Sequence, residues 1–215
     1  MELIICGLGV RIPEETTLET LQALADCRVV YSDLDDKKGR AWLSGYCKKL
    51  KTPASAAEIL KDAAEGGVGL AVWGNPQSSS RLARDVELGA QKAGLALRVY
   101  GAISPIGSAF ARSVSFLGGD YGYQGIQSYD VSAVLEDAKA ATAELPLVLY
   151  AESAEPARWK QALKLLAPNY PAGHKARLFA PGGESLAALS ALKPGPRCVV
   201  LIPPAKEHVV RKTKW

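Results

Sequence analysis

Residues 68–77 constrain the fold most: Val-Gly-Leu-Ala-Val-Trp-Gly-Asn-Pro-Gln, running on into the serines at 78, 79 and 80. The stretch opens as a run of apolar residues and glycine, which is how a strand buried on both faces reads. It stops at Gly-Asn-Pro, residues that end strands and start tight turns. The pattern predicts a central parallel strand. In an open α/β sheet, ligands bind in the crevice beyond the carboxyl ends of such strands, so the loop at 74–80 is the first place to look for a site. Taken alone, Gly-Asn-Pro reads more readily as an ordinary turn.

The flanking sequence supplies the other layers of such a sheet. Residues 2–6 form a short apolar run that opens into Gly7-Leu8-Gly9-Val10-Arg11-Ile12-Pro13. Thr16-Thr17-Leu18-Glu19 fits a capping box with Thr16 as the cap, and Leu18, Leu21, Leu24 and Ala25 make the apolar stripe of the helix that follows. Residues 28–32 read as the next strand, giving the β-loop-α-β opening of a parallel sheet. Gly7-x-Gly9 invites a dinucleotide fold, but Ile12 stands where the third glycine belongs. The helix also begins well past the glycines, too late to meet a pyrophosphate.

Further along, a short helix is expected around 40–47, an edge strand at 48–51, and a helix through Ala56, Ile59, Leu60 and Ala63 that stops at Gly66-Gly67. After the central strand come a helix over 80–92 and a strand over 95–100. That strand leads to Gly101-Ala102-Ile103-Ser104-Pro105 and delivers a second hydroxyl to a strand's carboxyl end. Ser104 also reads as the N-cap of a helix over 105–115, with Pro105 at its first position. Periodicity breaks at residues 118–125, rich in glycine and tyrosine, and this segment reads as a hinge between two lobes, 1–118 and 119–215. The second lobe is expected to hold strands at 126–129, 147–150, 176–179 and 198–202 and helices at 131–144, 156–166 and 184–192, around a mixed sheet.

Composition excludes several classes. At 215 residues, 48% hydrophobic and 22% charged, the chain can bury a sizeable core in one large domain or two small ones. The net charge of +4 is weak and scattered outside a basic tail at 206–214, so no nucleic-acid partner is expected. Cys6, Cys27, Cys47 and Cys198 show no C-x-x-C spacing, and only His174 and His208 accompany them, so no metal site is expected. With no signal peptide and no apolar run near 18 residues, a reduced, cytoplasmic protein with no membrane partner is the expectation.

The ordered landmarks resemble the tetrapyrrole methylase fold of class III S-adenosylmethionine-dependent methyltransferases. Within that group the chain is similar to the borosin-type peptide backbone N-methyltransferases. The likeness is carried by residues 7–30 with Thr-Leu-Glu-Thr-Leu at 17–21, by Gly74-x-Pro76, and by Ser104. It continues through Gly125-Ile126-Gln127-Ser128-Tyr129, Leu147-Val148-Leu149 and Ile202-Pro203-Pro204, spanning residues 2–205. The resemblance implies an α/β fold of two lobes with a cofactor cleft between them, S-adenosylmethionine as methyl donor, and a homodimer. It implies cofactor contacts at Gly74, Asn75, Gln77, Ser78, Ser104, Gln127, Ser128, Ala151 and Ala205. The acceptor it implies is a peptide backbone amide or a tetrapyrrole-like molecule.

This chain departs from the borosin-type pattern before the Gly-x-Pro turn. Those enzymes place an Arg and several Tyr there to activate the acceptor amide, whereas residues 51–72 contain neither, and Trp73 precedes Gly74. No catalytic residue is therefore assigned from the sequence. The alternative reading is a non-catalytic member that binds the cofactor or a peptide as a partner subunit.

Overall fold

The computed structural model describes residues 2–34, 36–53, 55–112, 125–151, 154–180 and 183–205. The chain divides into two compact units, Met1–Pro105 and Ile106–Trp215. Of the segment read as a hinge only Gly125 is described, and the basic tail also lies outside the described residues.

The first unit runs β1 (Glu2–Gly7), α1 (Leu18–Asp26), β2 (Val29–Ser32), α2 (Lys37–Ser44), β3 (Leu50–Lys51), α3 (Ala56–Ala63), β4 (Val68–Val72), α4 (Pro76–Ser79), α5 (Arg81–Lys92) and β5 (Ala96–Tyr100). Its sheet has the order β3-β2-β4-β1-β5, and every pairing is parallel. The strand at 68–72 is central and all five of its residues are buried, as its apolar run requires. α3 and α5 cover one face through Ile59, Ala63, Val86 and Ala90, which join Leu3, Ile5, Tyr31, Leu70 and Val72 in one core. Leu24 of α1 and Cys27, its C-cap, come so close to Gly69 that a Cβ there would stand 3.0 Å from each side chain.

Several local expectations shift. α1 is capped by Thr17, whose hydroxyl accepts from the Thr20 N–H at 3.1 Å, and Glu19 falls one position short of a capping box. Thr16 is occupied elsewhere, donating its hydroxyl to the Leu8 carbonyl at 2.7 Å. The buried stripe of α1 is accordingly Thr20, Ala23 and Leu24, while Leu18 is 78% exposed. α2 starts earlier than its apolar pattern suggests because Asp36 caps it, accepting from Lys38 and Gly39. The helix expected over 80–92 is preceded by a separate turn, α4. Ser80 caps α5 by accepting from the Ala83 N–H at 3.2 Å.

The second unit runs from α6 (Pro105–Ala111) through β6 (Gln127–Asp130), α7 (Val131–Glu136), β7 (Leu147–Ala151), α8 (Pro156–Leu166), β8 (Lys175–Ala180), β9 (Gly183–Ala188) and β10 (Cys198–Ile202). Its sheet is mixed, in the order β6-β7-β10-β8-β9: β6 pairs with β7 in parallel and the other pairings are antiparallel. Trp159, Leu163 and Leu166 of α8 pack with Leu147, Leu149, Val200 and Ile202 in its core. α7 is shorter than expected, since Asp137 opens a separate 3-10 turn over Ala138–Ala140 by accepting from the Lys139 N–H.

The helix expected over 184–192 is overturned. Residues 183–188 form a strand in register with all six residues of β8, and only Leu189–Ala191 make a helical turn, of the 3-10 type. Side-chain bonding explains the override of a helix-favouring composition. Glu184 stands across from Phe179 and pairs with Arg112 at 3.0 Å and Arg177 at 3.6 Å, which pins the strand in place.

Candidate functional site

The connection from β1 leaves across the sheet toward β2, whereas the one from β4 leaves in the opposite direction toward β5. The two connections therefore cross beyond the neighbouring carboxyl ends of β1 and β4, and it is outside the carboxyl ends of its strands that an α/β sheet binds ligands. There the two post-strand loops join: Gly9 and Gly74 exchange backbone bonds in an isolated bridge, with Gly74 N–H donating to Gly9 at 2.9 Å and Gly9 N–H to Gly74 at 3.3 Å. The Trp73 indole N–H donates to the Val10 carbonyl at 3.1 Å and closes the same junction from inside the core.

The post-β4 turn is built by its own polar residues. Gly74 adopts φ +69°, a left-handed conformation that glycine takes without steric cost, and this redirects the chain into α4. Asn75 caps α4, its Oδ1 accepting from the Gln77 N–H at 3.0 Å, and its Nδ2 donates to the Ala102 carbonyl at 3.0 Å. Ser79 is buried and closes the turn, accepting from the Asn75 N–H at 2.8 Å and donating back to the Asn75 carbonyl at 2.7 Å. These bonds leave Gln77 and Ser78 exposed at the rim, with Ser104 half-buried two residues beyond Ala102. The first unit thus brings Gly74, Asn75, Gln77, Ser78 and Ser104 to one end of its sheet.

In the second unit, Gln127 spends its carboxamide on neighbouring backbone. Its Nε2 donates to the Thr142 and Leu145 carbonyls, and its Oε1 accepts from the Thr142 N–H at 2.8 Å. Ser128 follows it, opposite Val148. Ala205 meets the same loop, its N–H donating to the Ala143 carbonyl at 2.7 Å. Gln127, Ser128 and Ala205 therefore gather at the Leu147 end of β7. Ala151 does not join them, since it lies buried at the other end of that strand, paired with Cys198.

Sequence reasoning missed three contributors. Ser79 was one of three serines with nothing to single it out except its i+4 spacing from Asn75. The Thr16 bond to Leu8 has no local signal. His174 is half-buried, and its Nε2 donates to the Pro203 carbonyl at 3.0 Å while the ring stacks on Tyr170. It holds the loop that carries Ala205.

Two clusters of ionisable groups in the first unit are held by internal bonds. The Tyr31 hydroxyl donates to Asp62 at 2.6 Å, and Lys51 Nζ lies 3.1 Å from both. The hydrogen bonds from Tyr31 and then Lys51 hold the Asp62 carboxyl below its ordinary range, and burial, with the Asp62 bond, raises the Tyr31 phenol. Glu15 is buried behind the post-β1 loop, accepting from the Val10 and Arg11 N–H groups and pairing with the Arg11 side chain. Burial suppresses ionisation of the thiols, pushing Cys27 up to about 11 and raising Cys6 further. Residues 74–78 and 101–104 contain no ionisable side chain.

This surface fits an adenosyl sulfonium. Residues 74–78 and 101–104 bring no charged side chain, offer amide and main-chain groups for hydrogen bonding, and leave Ile103 44% exposed as an apolar surface.

Comparison with known proteins shows the family. The family model described as Tetrapyrrole (Corrin/Porphyrin) Methylases matches residues 2–184. Among solved structures, uroporphyrin-III C-methyltransferase from Thermus thermophilus complexed with S-adenyl homocysteine superposes with a TM-score of 0.71 at 17% identity, over 95% of this chain and 98% of that one. The methyltransferase CobJ gives 0.67 at 18% identity, over 97% and 96%. A diphthine synthase gives 0.63 at 14% identity, over 97% and 92%. Among curated proteins no sequence match was found. Low identities of this kind show the fold alone, and the family model, which spans most of the chain, shows the family. The chain belongs to the tetrapyrrole methylase family, and with it to the S-adenosylmethionine-dependent methyltransferases.

Proposed function

We propose that this methyltransferase acts on an acceptor atom that is nucleophilic without help from the enzyme, as the electron-rich ring carbons of a tetrapyrrole-like molecule are. The observation that carries this is the absence of any ionisable side chain from the two loops at the carboxyl ends of β4 and β5. S-adenosylmethionine supplies a methyl group already activated on a sulfonium, so an intrinsically nucleophilic acceptor needs only to be positioned. An amide N–H would need a base or a polarising cation. Tyr31 and Lys51, which come closest to such a pair, are committed to each other and to Asp62.

Gly74, Asn75, Gln77, Ser78 and Ser104 form the first unit's share of the proposed cofactor site. The Gln77 amide and main-chain groups would bind the amino-acid end and the adenine edge, and Ile103 would cover apolar surface. Gln127, Ser128, Ala151 and Ala205 are carried over from the family likeness as the second unit's share. Since Ala151 and Ser128 stand at opposite ends of the β6–β7 pair, bulky replacements at the two report separately. The homodimer is part of the same reading, and light scattering at high protein concentration tests it.

The peptide-amide reading retains the motif likeness at 17–21 and 125–129, so both acceptor classes belong in the assay. Methyl transfer to a uroporphyrinogen-type tetrapyrrole and none to peptides is the expected outcome; transfer to a peptide amide alone overturns the acceptor assignment. For the cofactor site, Ser104→Leu is expected to weaken S-adenosylhomocysteine binding at least tenfold in calorimetry, about 1.4 kcal/mol, with the fold intact. Unchanged affinity in that variant removes Ser104 from the site.

A further inference from the structure

Asn75 holds both polar ends of its carboxamide on the protein. Oδ1 caps α4 through the Gln77 N–H, and Nδ2 reaches the Ala102 carbonyl, 27 residues away in sequence. Its backbone is fixed as well, since the Ser79 hydroxyl accepts from its N–H and donates to its carbonyl. The second carboxamide bond joins the post-β4 turn to the loop after β5, and Gly7 lies beneath the junction, in contact range of Gly74, Pro76 and Ala102.

We propose that Asn75 is a positioning residue for methyl transfer: it acts by locking the post-β5 loop, and with it the main chain of Ile103 and Ser104, against the post-β4 turn. The inference rests on reading the carboxyl-end loops of the first unit as the cofactor site. The residue type follows from the geometry. One arm must accept and the other must donate, and a short carboxamide does both. Asp offers an acceptor to each arm and sets an anionic oxygen against the Ala102 carbonyl, while Ser retains the cap and drops the link.

The test uses the full chain with Asn75→Asp and Asn75→Ser, and S-adenosylhomocysteine as the probe. In ligand-free protein at pH 8, amide exchange at Ile103 and Ser104 is expected to quicken at least tenfold in both variants. The dissociation constant from calorimetry is expected to rise at least tenfold. Lowering the pH until the introduced carboxyl is protonated provides a donor for Ala102, so binding recovers in Asn75→Asp and not in Asn75→Ser. Weakened binding with parent-like exchange makes Asn75 a direct ligand of the cofactor and overturns the proposal, as does parent-like affinity in either variant. If Asn75→Asp fails to fold, Asn75→Ser decides on exchange and affinity alone. Absence of binding by the parent overturns the cofactor-site reading instead, and exchange at Ile103 and Ser104 still decides whether Asn75 holds the loop.

Discussion

Gly7 stands where the loops after β1, β4 and β5 meet. A Cβ at this position would lie 2.5 Å from the Gly74 carbonyl oxygen, 2.7 Å from the Ala102 Cβ and 2.8 Å from the Pro76 Cδ. None of these atoms is the free end of a flexible side chain, so the backbone itself would have to move. Gly7→Ala is expected to cost about 1–3 kcal/mol in urea denaturation, the range for overpacking, and to weaken S-adenosylhomocysteine binding by displacing the loops. A second residue-scale prediction concerns Tyr31. The folded pKa of Asp62 lies below its ordinary 3.8, so the contribution of Asp62 is complete above that value and is lost as the pH falls through the lowered one. The folded pKa of Tyr31 lies above its ordinary 10.0, so its contribution is complete below pH 10.0 and is lost as the pH rises through the raised value. Tyr31→Phe should therefore show a melting-temperature deficit that is flat between these limits and closes at both extremes. A deficit independent of pH would assign the effect to packing alone.

At the scale of elements, caps decide where helices begin. Thr17→Ala removes the acceptor for the Thr20 N–H and should cost about 1 kcal/mol in denaturant unfolding. Two adjacent threonines offered the cap at α1, and nothing local distinguishes them. Thr17 makes the cap, while the hydroxyl of Thr16 turns back to donate to the carbonyl of Leu8, eight residues earlier in the same connection. The parallel sheet was legible because apolar runs such as 68–72 have one physical use, a strand buried on both faces. The 183–188 strand was not, because its partner lies in β8 and its anchoring charges lie on Arg112 and Arg177. The site was legible in part: Gly-Asn-Pro announces a turn at a strand's end. That Asn75 reaches Ala102, and that Gln127 turns toward residues 142–145, depends on loop approach that no spacing encodes.

At the scale of the whole molecule, each unit carries its own sheet and its own core, and each sheet hides a thiol. Cys6 sits in β1 and Cys198 in β10, both buried. Burial raises the pKa of each thiol, and in Cys6 the neighbouring Cys27 adds to the effect. Alkylation requires a thiolate that can be reached, so neither cysteine should react while its sheet is closed. Cys47, only half-buried, should be modified first by iodoacetamide, as peptide mass spectrometry can follow. The slower modifications then serve as two internal clocks, with Cys6 counting openings of the first sheet and Cys198 those of the second. Adding S-adenosylhomocysteine and watching which clock slows would identify the unit whose opening the ligand restrains, without introducing any label into the chain.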